Sequence, residues 1–473
     1  MLAAGGILAL ALIAQVPPDA TGAEPVTPVP AAAAPAALEP AACDEPGRAP
    51  DPRCNDNLDG RAPPAASPAR QAARAVLAPP RAAARLVLLP VVEGTEAAER
   101  HNIFPWLRAL TTSDDGKVGV RPDIQYATGF VPSVGFLLFY RRLPVPTSEV
   151  TARFKAGSAD VLRAEIALRG PRWLGLMLGA FLDRRDDRLF AGIGNPAPGA
   201  PRPIESRYRG DIYRAEALWL TPTGGPLTLT LRAGFEGREY DADDVRGGPS
   251  IAQAYGAPPA SCAARGQPIP CTDPALVPEF DTDRRLLYER ARLALDLRPS
   301  ARDGHGVELG LEGATYHGIV ADPSRYARLS FDGVAAFGGV DRTLLLRFAA
   351  AVVEPVGRAP VPFDDLISPT GGMWIRGLPD GLLRDRSGLV GTAEYRWLIS
   401  SAIDATLFVD EGAVAGPWFG GLEGEDFHTS IGAGLRIYGG TLPRYWDETA
   451  HQGVQIAYAP GRSVRLLLTA ALF

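Results

Sequence analysis

The chain has 473 residues, and its 48 Lys+Arg against 54 Asp+Glu leave a net charge of -6 with mean hydropathy close to zero. That balance excludes a nucleic-acid partner, which needs clustered positive charge. Beyond the N-terminus no uncharged apolar run reaches about 18 to 20 residues, which excludes a helical membrane protein but permits a transmembrane β-barrel, whose alternating strands average to neutral hydropathy.

Residues 1–23 open with the apolar run MLAAGGILALALIAQ, followed by small residues around Thr21-Gly22-Ala23, the pattern of an export signal peptide. Basic residues are missing ahead of the apolar core, so a start further upstream and a short apolar anchor are the alternatives. Residues 24–84 are rich in Ala and Pro; repeated Pro blocks helix and ladder hydrogen bonds alike, which predicts a disordered linker. Residues 85–116 read as a periplasmic lead-in, with a brief apolar stretch at Leu86–Pro90 and a short helix over Thr95–Leu110. The four cysteines form two close pairs, Cys43 with Cys54 and Cys262 with Cys271, in Pro- or Gly-bearing segments. Neither pair has CxxC spacing or a nearby His to complete a metal shell, so small disulfide loops in an oxidising compartment are favoured over metal. Whether Cys43 and Cys54 pair with each other stays open.

From residue 117 to residue 473 the pattern changes to segments of roughly ten residues that alternate apolar and polar, separated by Gly, Pro, Asp and Arg. In Leu227–Arg238 the residues Leu227, Leu229, Leu231, Ala233 and Phe235 share one face, and Thr228, Thr230, Arg232, Gly234, Glu236 and Arg238 the other. Ile403, Ala405, Leu407 and Val409 stand in the same way against Asp404, Thr406, Phe408 and Asp410. About sixteen such segments begin near residues 118, 134, 147, 161, 173, 208, 225, 285, 305, 325, 341, 388, 402, 428, 452 and 463. The count predicts an all-β fold, a transmembrane antiparallel barrel of about sixteen strands. Short turns alternate with three long polar loops, Asp183–Arg207, Asp241–Arg284 and Glu354–Ser387, which mark the outer side. The chain ends in a strand with an aromatic residue, Phe473, the kind of terminus that barrel precursors present to their assembly machinery.

Catalytic and cofactor motifs are missing: there is no GxSxG, no HExxH, no phosphate loop and no metal-spaced Cys/His cluster, so no enzymatic activity and no cofactor are expected. The five histidines, His101, His305, His317, His428 and His451, are scattered near strand ends and loops. Trp173, Trp219, Tyr395 and Trp397 lie near strand ends, where they suit interfacial anchoring or ordinary packing.

Three stretches in the final third carry a family resemblance. Gly371-Gly372-Met373-Trp374-Ile375-Arg376-Gly377-Leu378, then Glu394-Tyr395-Arg396, then Phe408-Val409-Asp410-Glu411-Gly412 resemble, in order, motifs of the BamA/TamA superfamily of outer-membrane proteins. The resemblance implies sixteen strands and an inward-folded sixth extracellular loop. It covers residues 360–473 well and 117–359 only by general pattern. Leu378 departs from the family, which often has an aromatic residue there. Glu24–Leu110 is too short for the periplasmic POTRA domains of many members, so a barrel-only member is implied.

A loop that enters a barrel must be held there, and Arg supplies five donors in a fixed fork. Glu394 and Asp410 fall on the lumen faces of adjacent predicted strands and are positioned to pair with Arg376, while Gly377 lets the loop tip turn sharply and Gly412 completes the strand motif. The expected function is assistance in the insertion or translocation of protein or lipid at the bacterial outer membrane, through a weak seam between first and last strands. A passive pore or structural barrel is the alternative. The expected partners are the outer-membrane lipid bilayer, the barrel-assembly machinery during biogenesis, and a protein or lipid client.

Overall fold

A strand with one apolar and one charged face can bury neither face alone; closing many such strands into a ring satisfies every backbone group and separates the faces into an outside and a lumen. The computed structural model describes residues 93–471 apart from short gaps, of which 196–203, 299–304 and 438–452 are the longest. The chain divides at Arg85 and Leu86. The first unit lies outside the described residues, and with it the export signal, the linker, Cys43 and Cys54; Phe473 lies outside them too. In the lead-in, helical backbone is described at several positions between Glu93 and Thr111.

The strands are β1 Val118–Ala127, β2 Ser133–Arg141, β3 Glu149–Ser158, β4 Val161–Arg169, β5 Leu176–Phe190, β6 Ser206–Leu220, β7 Leu227–Asp241 and β8 Arg284–Asp296. They continue with β9 Gly306–Gly318, β10 Arg325–Gly339, β11 Arg342–Pro355, β12 Ser387–Leu398, β13 Ile403–Ala415, β14 His428–Ile437, β15 Gly453–Tyr458 and β16 Arg465–Ala471. Each pairs antiparallel with its sequence neighbours, and β1 closes on β16. All sixteen begin within three residues of the starts read from the sequence.

One boundary differs. Asp183–Arg207 read as a long loop, yet β5 continues to Phe190 and β6 already starts at Ser206. The polar run that suggested a loop neutralises itself within the sheet: Arg188 pairs with Asp183, Arg185 Nε lies 2.8 Å from Asp187 Oδ1, and Arg184 Nη2 lies 2.8 Å from Asp211 Oδ2. At fifteen residues each, β5, β6 and β7 exceed the roughly 9 to 11 that cross a bilayer, so their outer ends stand clear of the apolar layer.

The two faces separate cleanly. On β11, Leu344, Leu346 and Phe348 point outward and are exposed, while Thr343 and Leu345 are buried inside. On β8, Leu287 and Leu293 point outward, and Arg284, Leu286 and Tyr288 inward. An apolar exterior around a charged interior is a lipid-facing surface. Inside, charges meet across strands: Arg153 Nε is 3.2 Å from Asp123 Oδ2 and Arg153 Nη1 is 3.3 Å from Glu165 Oε2, and Arg292 pairs with Asp332. Tyr140, Trp173, Trp219, Tyr395 and Trp397 gather at the end of the barrel where β2, β4, β6 and β12 finish, as an interfacial belt would. The connections 191–205, 242–283 and 356–386 all leave from the opposite end. Within 242–283, Cys262 and Cys271 form a disulfide.

Candidate functional site

Antiparallel register sets Thr392 on β12, Asp410 on β13 and Ser430 on β14 side by side on the lumen face. Glu394, two residues beyond Thr392, shares that face. Against this wall lies Arg376, from the connection between β11 and β12. Its Nε donates to Asp410 Oδ2 at 3.0 Å, its Nη2 to Asp410 Oδ1 at 2.6 Å, and its Nη1 to Glu394 Oε2 at 2.8 Å. The Arg376 backbone N–H also donates to Asp410, at 3.1 Å. Thr392 Oγ1 and Ser430 Oγ complete the Asp410 carboxylate at 3.1 and 3.0 Å. Glu394 accepts further from Arg396 Nε at 2.6 Å and Arg436 Nη1 at 3.1 Å. The Arg376 guanidinium lies 3.3 Å from the centroid of the Phe408 ring, a cation–π contact.

Arg376, Glu394 and Asp410 are all at most 3% exposed. Charges this deep are tolerable only when fully paired, and removing one partner from such a network costs about 3–5 kcal/mol. Each oxygen of the two carboxylates is engaged.

The glycines act by close packing. Gly377 lies in a tight turn over residues 375–378, closed by the Leu378 N–H donating to the Ile375 carbonyl at 3.0 Å, although its φ is not in the left-handed region. A Cβ there would come within 2.7 Å of Ser430 Cβ and 3.0 Å of Ala459 Cβ, so Gly377 lets the loop backbone lie flat on the wall. Gly412 does the same from the strand side, where a Cβ would meet Ile375 Cδ1 at 3.1 Å. Leu378, where an aromatic residue was the alternative, is buried with Leu189, Ile375, Leu382, Leu383, Val390 and Val414. Arg465 of β16 donates to the carbonyls of Arg376 and Leu378.

A second contact of the same loop was not foreseen. Phe363 is fully buried among Phe190, Tyr208, Tyr240 and Phe280, with ring centroids 5.1 to 5.7 Å away. The next two residues, Asp364 and Asp365, each pair with both Arg238 of β7 and Arg284 of β8. The Tyr240 hydroxyl donates to Asp364 and the Tyr326 hydroxyl to Asp365. Burial alone would raise the Asp364 carboxyl; the guanidiniums of Arg238 and Arg284 overcome it and hold it below the ordinary value. The only signals in the sequence were two adjacent acids in an otherwise apolar stretch and an Arg238 on the polar face of β7. Neither names its partner. The described histidines, His101, His305, His317 and His428, stand on separate elements.

With this geometry in hand, known structures supply the fold. BamA from Haemophilus ducreyi, solved without POTRA domains 1–3, aligns with a TM-score of 0.50 at 13% identity, covering 75% of this chain and 70% of that one. The chain has the fold of that BamA barrel. Its apolar exterior and charged lumen set it in the bacterial outer membrane. CdiB from Acinetobacter baumannii (TM-score 0.44, 12% identity, 75% of this chain) and CdiB from Escherichia coli (0.44, 12%, 74%) also align; the chain spans 60% and 63% of their lengths. No protein-family model and no curated protein sequence matches the chain.

Proposed function

We propose that the chain is a barrel-only member of the BamA/TamA superfamily that assists insertion or translocation of protein or lipid at the outer membrane, without catalytic chemistry. In this reading 356–386 is an inward-folded sixth extracellular loop, and Arg376 locks it against Asp410 and Glu394. Residues 1–23 serve as export signal, 24–84 as a linker and 85–116 as a periplasmic lead-in. The observation that carries the reading is the buried Arg376 network: three hydrogen bonds from Arg376 to the Asp410 carboxylate and a fourth to Glu394 hold a loop to the wall, an arrangement a passive pore does not need. The weak seam of this proposal lies between β1 and β16, which pair from Asp123↔Ala471 to Ala127↔Leu467 among the described residues.

Quantitative outer-membrane proteomics of a deletion strain against its parent tests the function. Loss of a defined set of barrels or lipoproteins is the expected outcome. An unchanged proteome, with steady single-channel conductance of the purified protein, would replace the reading with a passive pore.

A further inference from the structure

The Arg376 network holds one end of the 356–386 loop and leaves the other unexplained. That other end is Phe363-Asp364-Asp365, which meets β7, β8 and β10, strands separated from β12 and β13 around the barrel. Arg238 Nη2 lies 2.8 Å from Asp365 Oδ1 and Arg284 Nη1 lies 3.3 Å from Asp365 Oδ2, with both guanidiniums also on Asp364. Arg284 is fully buried, and the Phe363 N–H donates to the Pro278 carbonyl at 3.1 Å, which brings the disulfide-bearing connection 242–283 over the same spot. Beyond Arg376, Arg384 joins the connection that follows β5: its carbonyl accepts from Gly194 N at 2.7 Å. Two half-buried acids meet two buried arginines; withdrawing the acids would take from Arg284 the carboxylates it pairs with and leave Arg238 with Glu236.

We infer that Phe363, Asp364 and Asp365 form a second, independent anchor of the loop, with Arg238 and Arg284 as its positioning residues, and that the two anchors together stretch the loop across the lumen and close it to passive flux. This rests on the reading of 356–386 as an inward-folded loop. Release of the Arg376 network alone leaves the Phe363 end seated, and release of the acidic end alone leaves Arg376 seated. Flux requires both.

The test uses the full chain in detergent and planar bilayers, with chymotrypsin cleavage after Phe363 and trypsin cleavage after Arg384 as separate reporters. In D364N/D365N, cleavage after Phe363 rises about tenfold or more while Arg384 stays protected. In R376A the pattern reverses, and only the combined variant conducts steadily. Wild-type protection of Phe363 in a folded D364N/D365N barrel would overturn the second anchor and leave the Arg376 lock standing. Protection of Arg384 in R376A would instead sink the lock and spare the anchor. A combined variant that stays closed would overturn the sealing role. If D364N/D365N does not assemble, D364N/D365N/R238Q/R284Q removes the charges on both sides and is read by the same cleavage, with the same outcomes counting for and against.

Discussion

The 356–386 loop meets the barrel through two buried charge networks of similar composition and opposite construction. At Arg376 one cation from the loop enters a wall of carboxylates supplied by the strands that immediately follow it, 18 and 34 residues along the chain. At Asp364-Asp365 the signs are exchanged: the loop brings the acids, and the wall supplies arginines 80 and 126 residues back in the sequence. The first is specified by short motifs close in sequence and backed by hydroxyls that leave Asp410 no open acceptor. The second relies on aromatic packing around Phe363 as much as on charge. A loop held twice, by unlike means, can lose one hold without losing its place.

The sharpest way to break that comparison is Arg376→Ala, which takes from the buried Asp410 its arginine partner and leaves Glu394 with Arg396 and Arg436. A loss of about 4 kcal/mol in the stability of the seated loop is expected. It would be read as trypsin cleavage after Arg384 in a barrel that still migrates as a folded, heat-modifiable species, and continued protection would refute it. Phe363→Ala comes next, at about 3 kcal/mol for emptying a fully enclosed aromatic site. Denaturant titration of loop protection should show that loss; a change below about 1 kcal/mol would mean that charge alone holds this end.

Gly377→Val is smaller, at about 2 kcal/mol, because its Cβ must displace Ser430 and Ala459 rather than empty a charged site. Its loss should appear at Arg384 and leave Phe363 protected. Removing the Cys262–Cys271 disulfide as C262S/C271S should loosen 242–283 to proteolysis, with little effect at Arg384.

The smallest expected effect is that of pH. The Asp364 carboxyl is held below its ordinary value, so its contribution is complete above the usual carboxylate range and is lost only as pH falls through the lowered value. Protection of Phe363 should therefore be flat from pH 7 to pH 5, and a drop within that window would contradict the pairing with Arg238 and Arg284.

Strand number, order and phase were legible in the sequence because a period of two is a local property: Leu227 to Arg238 shows its two faces without reference to any neighbour. Arg376, Glu394 and Asp410 were legible because they lie on one loop and the two strands directly after it, so that adjacency in sequence nearly guarantees adjacency in space. The charged run from Asp183 to Arg188 was misread as loop, since its partners within β5 and on β6 are what make it tolerable in a strand. Gly377 was legible as a turn residue, but its close packing on Ser430 and Ala459 was not, since a contact between distant residues leaves no local mark.

The sequence by itself determined a barrel of sixteen strands, its inside and outside, and the meeting of Arg376 with Glu394 and Asp410, because alternation and short motifs act over ten or twenty residues. Only the tertiary structure decided where the far end of the 356–386 loop rests. Pairing of β7 through β10 brings Arg238, Arg284 and Tyr326 to a single point on the wall, and a convergence of side chains so far apart in the sequence leaves no periodic trace in the chain.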